Sequence, residues 1–93
     1  MIYAYAHLKI DNPDSLAKYR EVAGDALAKH DGALLCASKD VILLEGVINT
    51  PDMGAILSFP DKEKALAWIN DEELQDVHAL RRNGGQSTIH LMP

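Results

Sequence analysis

The chain of 93 residues is 47% hydrophobic, which is enough for one core and too little for two, so we predict a single domain over residues 1–93. Fourteen acidic against nine basic residues give a net charge of −5, and the scattered basic residues exclude a nucleic-acid-binding stripe. The first residues do not predict an export leader, no apolar run is long enough for a bilayer, and Cys36 is the single cysteine. We therefore expect a cytoplasmic protein without membrane contacts.

The first third of the chain predicts a strand and then a helix. Apolar and polar side chains alternate over Ile2–Ile10, which is typical of a strand with two different faces. Asp11–Asp14 then holds a cap candidate and a proline suited to a first helical turn. An apolar stripe at spacings of three and four predicts a helix as far as Asp31-Gly32.

The middle of the chain predicts further strands. Ala33–Ser38 and Val41–Glu45 are short β-like runs, and Lys39-Asp40 between them is either a bulge in one bent strand or a turn. After a turn at residues 49–52, Met53–Phe59 is the next strand.

The last third predicts a helix and a closing strand. Asp61 can cap a second helix, Asn70-Asp71 interrupts it, and Asn83–Gly85 ends its continuation. Thr88–Met92 alternates again and is the final strand.

This order predicts an α+β, ferredoxin-like βαββαβ fold, an antiparallel sheet with the helices on one face. Val41–Leu44 and Ala55–Leu57 are nevertheless apolar on both alternating sides, as in strands that are covered twice. The helices cover one face only, so the second cover must come from outside. We therefore predict a homodimer that pairs through the open sheet faces.

Several local patterns together resemble the family known as domain of unknown function 1330, over nearly the whole chain. The resemblance implies the dimeric α/β-barrel superfamily, in which two ferredoxin-like sheets pack face to face and each protomer keeps a cleft between sheet and helices. The matching residues are Asp11-Asn12-Pro13, Leu16 to Arg20, Gly32, Leu44-Glu45-Gly46, Phe59-Pro60, Ala65, Trp68, Glu73 and Arg81.

Two positions depart from that family pattern. The family tends to carry an arginine and a glycine near Ala37-Ser38, and a tyrosine where Leu74 stands. The resemblance therefore does not support an anion-binding role for an arginine at the first of these positions. It also implies no established reaction.

Four polar side chains are predicted on the open sheet face. Alternation places Tyr3, Tyr5 and His7 together, and His90 joins them if its neighbours point to the helices. A histidine beside tyrosine hydroxyls can perform acid/base chemistry, and the same residues also suit a hydrogen-bonded, partly wet dimer interface.

Glu45 and Arg81 complete a candidate catalytic set with Tyr5 and His7. Glu45 ends an apolar run, where burial would raise the pKa of a carboxyl group and suit it to acid/base work. The alternative is a solvated acid, or one paired with Arg81 or Arg82.

Trp68 and His78, ten residues apart, resemble a pair in haem-degrading monooxygenases of the same superfamily, where the histidine ligates haem iron. Those enzymes also use an asparagine on the first strand, and His7 stands at that place here. The alternative is a Trp68 in the apolar stripe and a solvent-facing His78.

Three functional hypotheses remain. The first is a cofactor-independent enzyme that acts on a small molecule in its cleft. Its predicted catalytic residues are Tyr5, His7, Glu45 and Arg81. Its predicted ligand-binding residues are Tyr3, Trp68, His78 and His90. The second is a haem-binding or haem-degrading protein, and the third is a structural dimer without activity. No cofactor is predicted, and the four histidines lack metal-ligand spacing, so we expect no metal site.

Overall fold

The structure, a computed structural model, describes all residues from Met1 to Pro93. Its elements follow the predicted βαββαβ order, with the second helical segment broken into two helices. They are β1 Ile2–Ile10, α1 Pro13–Ala28, β2 Ala33–Ser38, β3 Met53–Phe59, α2 Lys62–Asn70, a 3₁₀ turn Glu72–Leu74, α3 Gln75–Asn83 and β4 Gly85–Met92.

The four strands form one antiparallel sheet in the order β2-β3-β1-β4, which is the ferredoxin-like arrangement. Alternate residues of the central strand β1 point to opposite faces. Ala4 and Leu8 are buried against the helices, whereas Tyr3 is 40% exposed on the open face. The predicted fold class is therefore confirmed, including a sheet with helices on one side only.

Local chemistry explains where the helices begin. The Asn12 side chain accepts a hydrogen bond from the Ser15 backbone N–H at 3.3 Å, and Pro13 occupies the first helical turn of α1. Asp61 caps α2 in the same way, accepting from the Lys64 N–H at 2.9 Å. The longest helix, α1, has 16 residues, and none of the helices combines the length and apolar character needed to span a membrane.

The break between α2 and α3 is held to the end of α1 by an acidic side chain. Asp71 accepts hydrogen bonds from Lys29 Nζ at 2.7 Å, from His30 Nε2 at 2.8 Å and from the Glu73 backbone N–H at 2.9 Å. The Lys29 ammonium, followed by the His30 hydrogen bond, keeps the pKa of Asp71 well below its usual range. The turn predicted at Asn70-Asp71 thus also anchors the helical layer.

The hydrophobic core is small, since 16 of the 93 residues are buried. It lies between the helices and the sheet, where the Phe59 and Trp68 rings pack with centroids 5.6 Å apart. Its buried apolar members are Ala4, Leu8, Leu16, Ala26, Leu27, Leu57, Phe59, Ala65, Trp68 and Leu74.

One predicted strand is wrong. Val41–Glu45 lies in a segment without regular structure between β2 and β3, and neither alternative for Lys39-Asp40 applies, because β2 ends at Ser38. The bulge lies earlier, where the register shifts between Leu34 and Cys36. A strand needs a backbone partner, and Val41–Glu45 pairs with no strand, although the outer edge of β2 is unpaired. Apolar composition alone therefore did not make a strand.

Side chains of this segment are left on the surface instead. Leu44 is 95% exposed and Val47 98%, with Ile42, Leu43 and Ile48 also exposed. The final strand differs by less, because β4 begins at Gly85, three residues before the predicted start at Thr88.

Gly85 and Gly24 allow a matched test of backbone strain. Gly85 has φ +152°, and a Cβ built there would overlap the Lys9 carbonyl oxygen, so we expect Gly85→Ala to lower the free energy of unfolding by about 2 kcal/mol or more. Gly24 lies within α1 with nothing within 4 Å of a Cβ, so Gly24→Ala should raise it by about 0.5–1 kcal/mol. Urea unfolding at one protein concentration measures both, and equal effects of the two variants would contradict this account.

Candidate functional site

The residues predicted as functional separate into three places. Glu45 lies in the exposed segment between β2 and β3. The open sheet face carries Tyr3, Tyr5, His7 and His90, and the helical side of the sheet buries Trp68, His78 and Arg81. The structure therefore does not bring Tyr5, His7, Glu45 and Arg81 together in one site.

The open-face residues form a row of rings. Tyr5 and His7 stack with ring centroids 5.4 Å apart and an interplanar angle of 11°. His90 lies directly opposite Tyr5 in the β1–β4 register, so it shares their face, as the alternation predicts. Tyr5 also covers Gly54 of β3, since its Cε1 would lie 3.5 Å from a Cβ built there.

His78 is a fully buried link between two helices. It has no exposed surface, and its imidazole stands edge-on to the Trp68 ring with centroids 4.7 Å apart. Nε2 lies 3.0 Å from the Trp68 carbonyl oxygen, and Nδ1 lies 2.9 Å from Arg81 Nη1. A carbonyl only accepts and a guanidinium only donates, so Nε2 carries the proton and Nδ1 accepts.

Burial lowers the pKa of His78, and the nearby Arg81 charge lowers it further. The hydrogen bond to the Trp68 carbonyl raises the pKa but does not outweigh them. The imidazole is therefore neutral in the folded protein, and it is not the solvent-facing residue of the alternative interpretation. Both ring nitrogens are engaged, so neither offers a lone pair to haem iron. The geometry assigns His78 a structural position between Trp68 and Arg81.

Arg81 is buried without a carboxylate partner. Arg81 is only 6% exposed, and it takes part in none of the ion pairs in the protein. Nη1 donates to His78 and, at 3.4 Å, to the Tyr19 hydroxyl, while Nε is buried with no partner. The guanidinium also lies 5.6 Å from the Tyr19 ring centroid and 5.4 Å from that of Trp68. Glu45 therefore does not neutralise it.

Two cavities meet at this arginine. The first, of about 350 Å³, lies between α1 and the sheet, and 12 of its 17 lining residues are hydrophobic. The second, of about 280 Å³, lies under α2 and α3. Arg81, Ser87 and Ile89 line both. We refer to the larger one as the α1 cavity; its remaining walls include Leu16, Tyr19, Ala23, Leu27, Leu34, Ala55 and Leu57. His7 also lines it, although the His7 ring stacks with Tyr5 on the open face.

Sequence reasoning missed Tyr19 and Ser87. Tyr19 lies on the apolar stripe that predicts α1, at a spacing of three from Leu16, and its hydroxyl reaches Arg81. A tyrosine among smaller apolar residues on a core-facing stripe was the available signal, because a buried phenol needs a polar partner. Ser87 precedes the predicted start of the last strand, so its place in the sheet was not foreseen. No group of three or more histidine, cysteine, aspartate or glutamate side chains is arranged to hold a metal ion.

The model of a family described as a domain of unknown function, DUF1330, matches residues 1–93 of the chain. The chain belongs to the DUF1330 family. The suspected resemblance is thereby confirmed over the full length, together with the fold class that it implied. No curated protein matches this DUF1330 chain.

Solved structures similar to this DUF1330 chain share its fold at low sequence identity. A protein of unknown function from Rhodopseudomonas palustris has a TM-score of 0.73 at 15% identity, covering 98% of this chain and 79% of that one. A dimeric ferredoxin-like protein of unknown function from Jannaschia sp. CCS1 has a TM-score of 0.73 at 12% identity, covering 99% and 97%. An antibiotic biosynthesis monooxygenase has a TM-score of 0.57 at 15% identity, covering 100% and 97%.

The protonation of His78 gives a direct test of the buried geometry. We expect ¹⁵N NMR to show a neutral ring protonated on Nε2, and the pKa of His78 to lie below the usual value of about 6.5. Below that pH the unfolded chain gains a proton that the folded chain refuses, so the free energy of unfolding should fall as pH drops. A His78 ring that titrates near its usual pKa, or is protonated on Nδ1, would contradict the arrangement.

Proposed function

We propose that this protein binds a small organic molecule in the α1 cavity. The observation that carries the proposal is a largely apolar cavity that ends on a buried arginine without an acidic partner. Small-molecule sites typically combine apolar walls with a few placed polar groups. The proposal concerns binding, since the residues predicted as a catalytic set lie on both faces of the sheet and in a surface segment.

The size of the α1 cavity supports this proposal. Its volume of about 350 Å³ lies at the lower end of the range of roughly 300–1,000 Å³ for ligand pockets. Engineered apolar cavities of about 150 Å³ already hold benzene. A ligand with one ring or a short branched chain would therefore fill the space.

A cavity-filling substitution tests the site. Ala23 is half-buried on α1 and lines the cavity, so Ala23→Leu should occupy the volume that a ligand needs. We expect toluene to shift the backbone amide signals of the lining residues in the wild-type protein, and to bind Ala23→Leu about tenfold more weakly or worse.

The matched control is Ala17→Leu, on the exposed side of the same helix and outside the cavity lining. Toluene binding should be unchanged in that variant. Absence of toluene binding to the wild-type protein, or equal binding to all three proteins, would rule out the α1 cavity as the site.

We also propose that two copies pair through the open sheet face. The accessible surface is 6075 Å², against roughly 5,300 Å² for a compact monomer of 10.2 kDa. The excess of roughly 800 Å² is close to what each partner buries in a standard interface. Tyr3 and Met92 are exposed on this face, five apolar side chains are exposed in the segment before β3, and a structure similar to this one is described as dimeric.

Substitution of Ile56 tests the dimer. Ile56 lies opposite Tyr5 and Cys36, near the middle of the open face, where a carboxylate would be buried without a partner on pairing. Light scattering should give twice the 10.2 kDa mass for the wild-type protein and the single mass for Ile56→Glu. Val22→Glu is the control, because Val22 is 37% exposed on α1, away from this face. A wild-type monomer at micromolar concentration would refute the proposal.

A further inference from the structure

We infer that the ligand of the α1 cavity is a small organic carboxylate whose charged group pairs with Arg81. This inference rests on the proposed function and adds the chemical class of the molecule. It does not depend on whether the protein is a dimer.

Arg81 has the properties of a binding group that awaits a counterion. A buried guanidinium normally pairs with a carboxylate, because an uncompensated charge inside a protein is strongly unfavourable. Here the only protein partners are a neutral imidazole and a phenol, and both are reached by Nη1. Nε is buried with no hydrogen-bond partner and Nη2 makes no hydrogen bond either, so the guanidinium retains donors for an incoming anion.

The distribution of charge also favours an anion. The chain has fourteen acidic residues against nine basic ones, yet no aspartate or glutamate lines the α1 cavity. Arg20, an exposed residue of α1, lines the same cavity and adds a second positive charge. An acid-rich protein that surrounds one cavity with two arginines and no acid favours negative ligands there.

The apolar walls restrict the kind of anion. Leu16, Leu27 and Leu57 offer no hydrogen bonds to a compact, multiply charged anion such as inorganic phosphate, which would lose its hydration in this space. A carboxylate with an apolar body matches both the apolar walls and the arginine. The body packs against the walls, and the planar carboxylate pairs with the guanidinium. The inference therefore commits to monocarboxylates with an aromatic or branched aliphatic body.

The experiment compares benzoate with benzamide, which has nearly the same shape and no charge. Trp68 is the single tryptophan and lies 5.4 Å from the Arg81 guanidinium, so its fluorescence reports on events at the arginine. Benzoate should bind the wild-type protein about tenfold more tightly than benzamide or better, as expected for a charge-assisted pair. Inorganic phosphate should compete poorly with benzoate.

Substitution of Arg81 tests whether this residue causes the preference for benzoate over benzamide. Arg81→Met keeps the length of the side chain and removes the charge, so the advantage of benzoate over benzamide should disappear. Arg82→Met removes the neighbouring charge, which is exposed and outside the α1 cavity, and should keep the advantage. Should Arg81→Met fail to fold, the Nε–Hε NMR signal of Arg81 in the wild-type protein decides, because benzoate should shift it and benzamide should not.

Each outcome has one meaning. Equal binding of benzoate and benzamide, an unchanged preference in Arg81→Met, or an unmoved Nε–Hε signal would overturn the carboxylate assignment. Toluene binding would still stand in those cases, and the proposed cavity with it. Absence of binding by toluene, benzamide and benzoate alike would instead remove the proposed function, and the carboxylate assignment along with it.

Discussion

The structure depends on a chain of polar contacts through its small core, from the Trp68 carbonyl through His78 to Arg81 and on to Tyr19. These contacts join α2, α3 and α1, which otherwise meet the sheet through few large apolar side chains. Buried hydrogen bonds are costly to leave incomplete, so each member restricts the others to one tautomer and one orientation. His78 must be neutral with Nε2 protonated, because only that form satisfies both neighbours.

Placing a charge in so small a core has a structural consequence. A guanidinium cannot be enclosed by apolar side chains as closely as a leucine would be, and the two cavities both end at Arg81. The rings of Tyr19 and Trp68 beside it compensate part of the charge through their π faces. The remaining imbalance makes the α1 cavity chemically distinct from a simple packing defect.

Much of the fold followed from the sequence because its signals are local. Alternation over Ile2–Ile10, and a turn before Met53–Phe59, gave strands with the observed bounds, and the caps at Asn12 and Asp61 depend on side chains within three residues. The strand predicted at Val41–Glu45 was wrong because the pairing of strands is a long-range property. Its apolar run carried no information on whether its backbone would pair with the outer edge of β2, which stays free.

The site was harder to predict for the same reason. The grouping of Tyr3, Tyr5, His7 and His90 on one face needed only the period of two and the strand order. The separation of Arg81 from Tyr5 and His7 required knowing that a sheet lies between them. The absence of an acid beside Arg81 is a property of the whole packed protein, and no local pattern records it.

A single sheet therefore separates two surfaces with different chemistry. Ala55 and Leu57 face the α1 cavity, whereas Ile56 between them faces the open side. A change at one of these positions acts on one surface while leaving the backbone pairing intact, because adjacent side chains on a strand point in opposite directions. The proposed ligand binding and the proposed pairing of two copies are thus separable by substitution within three consecutive residues of β3. That separation explains why strand residues that are apolar on both sides need not share one purpose: Ala55 and Leu57 line the α1 cavity, and Ile56 is left on the open face.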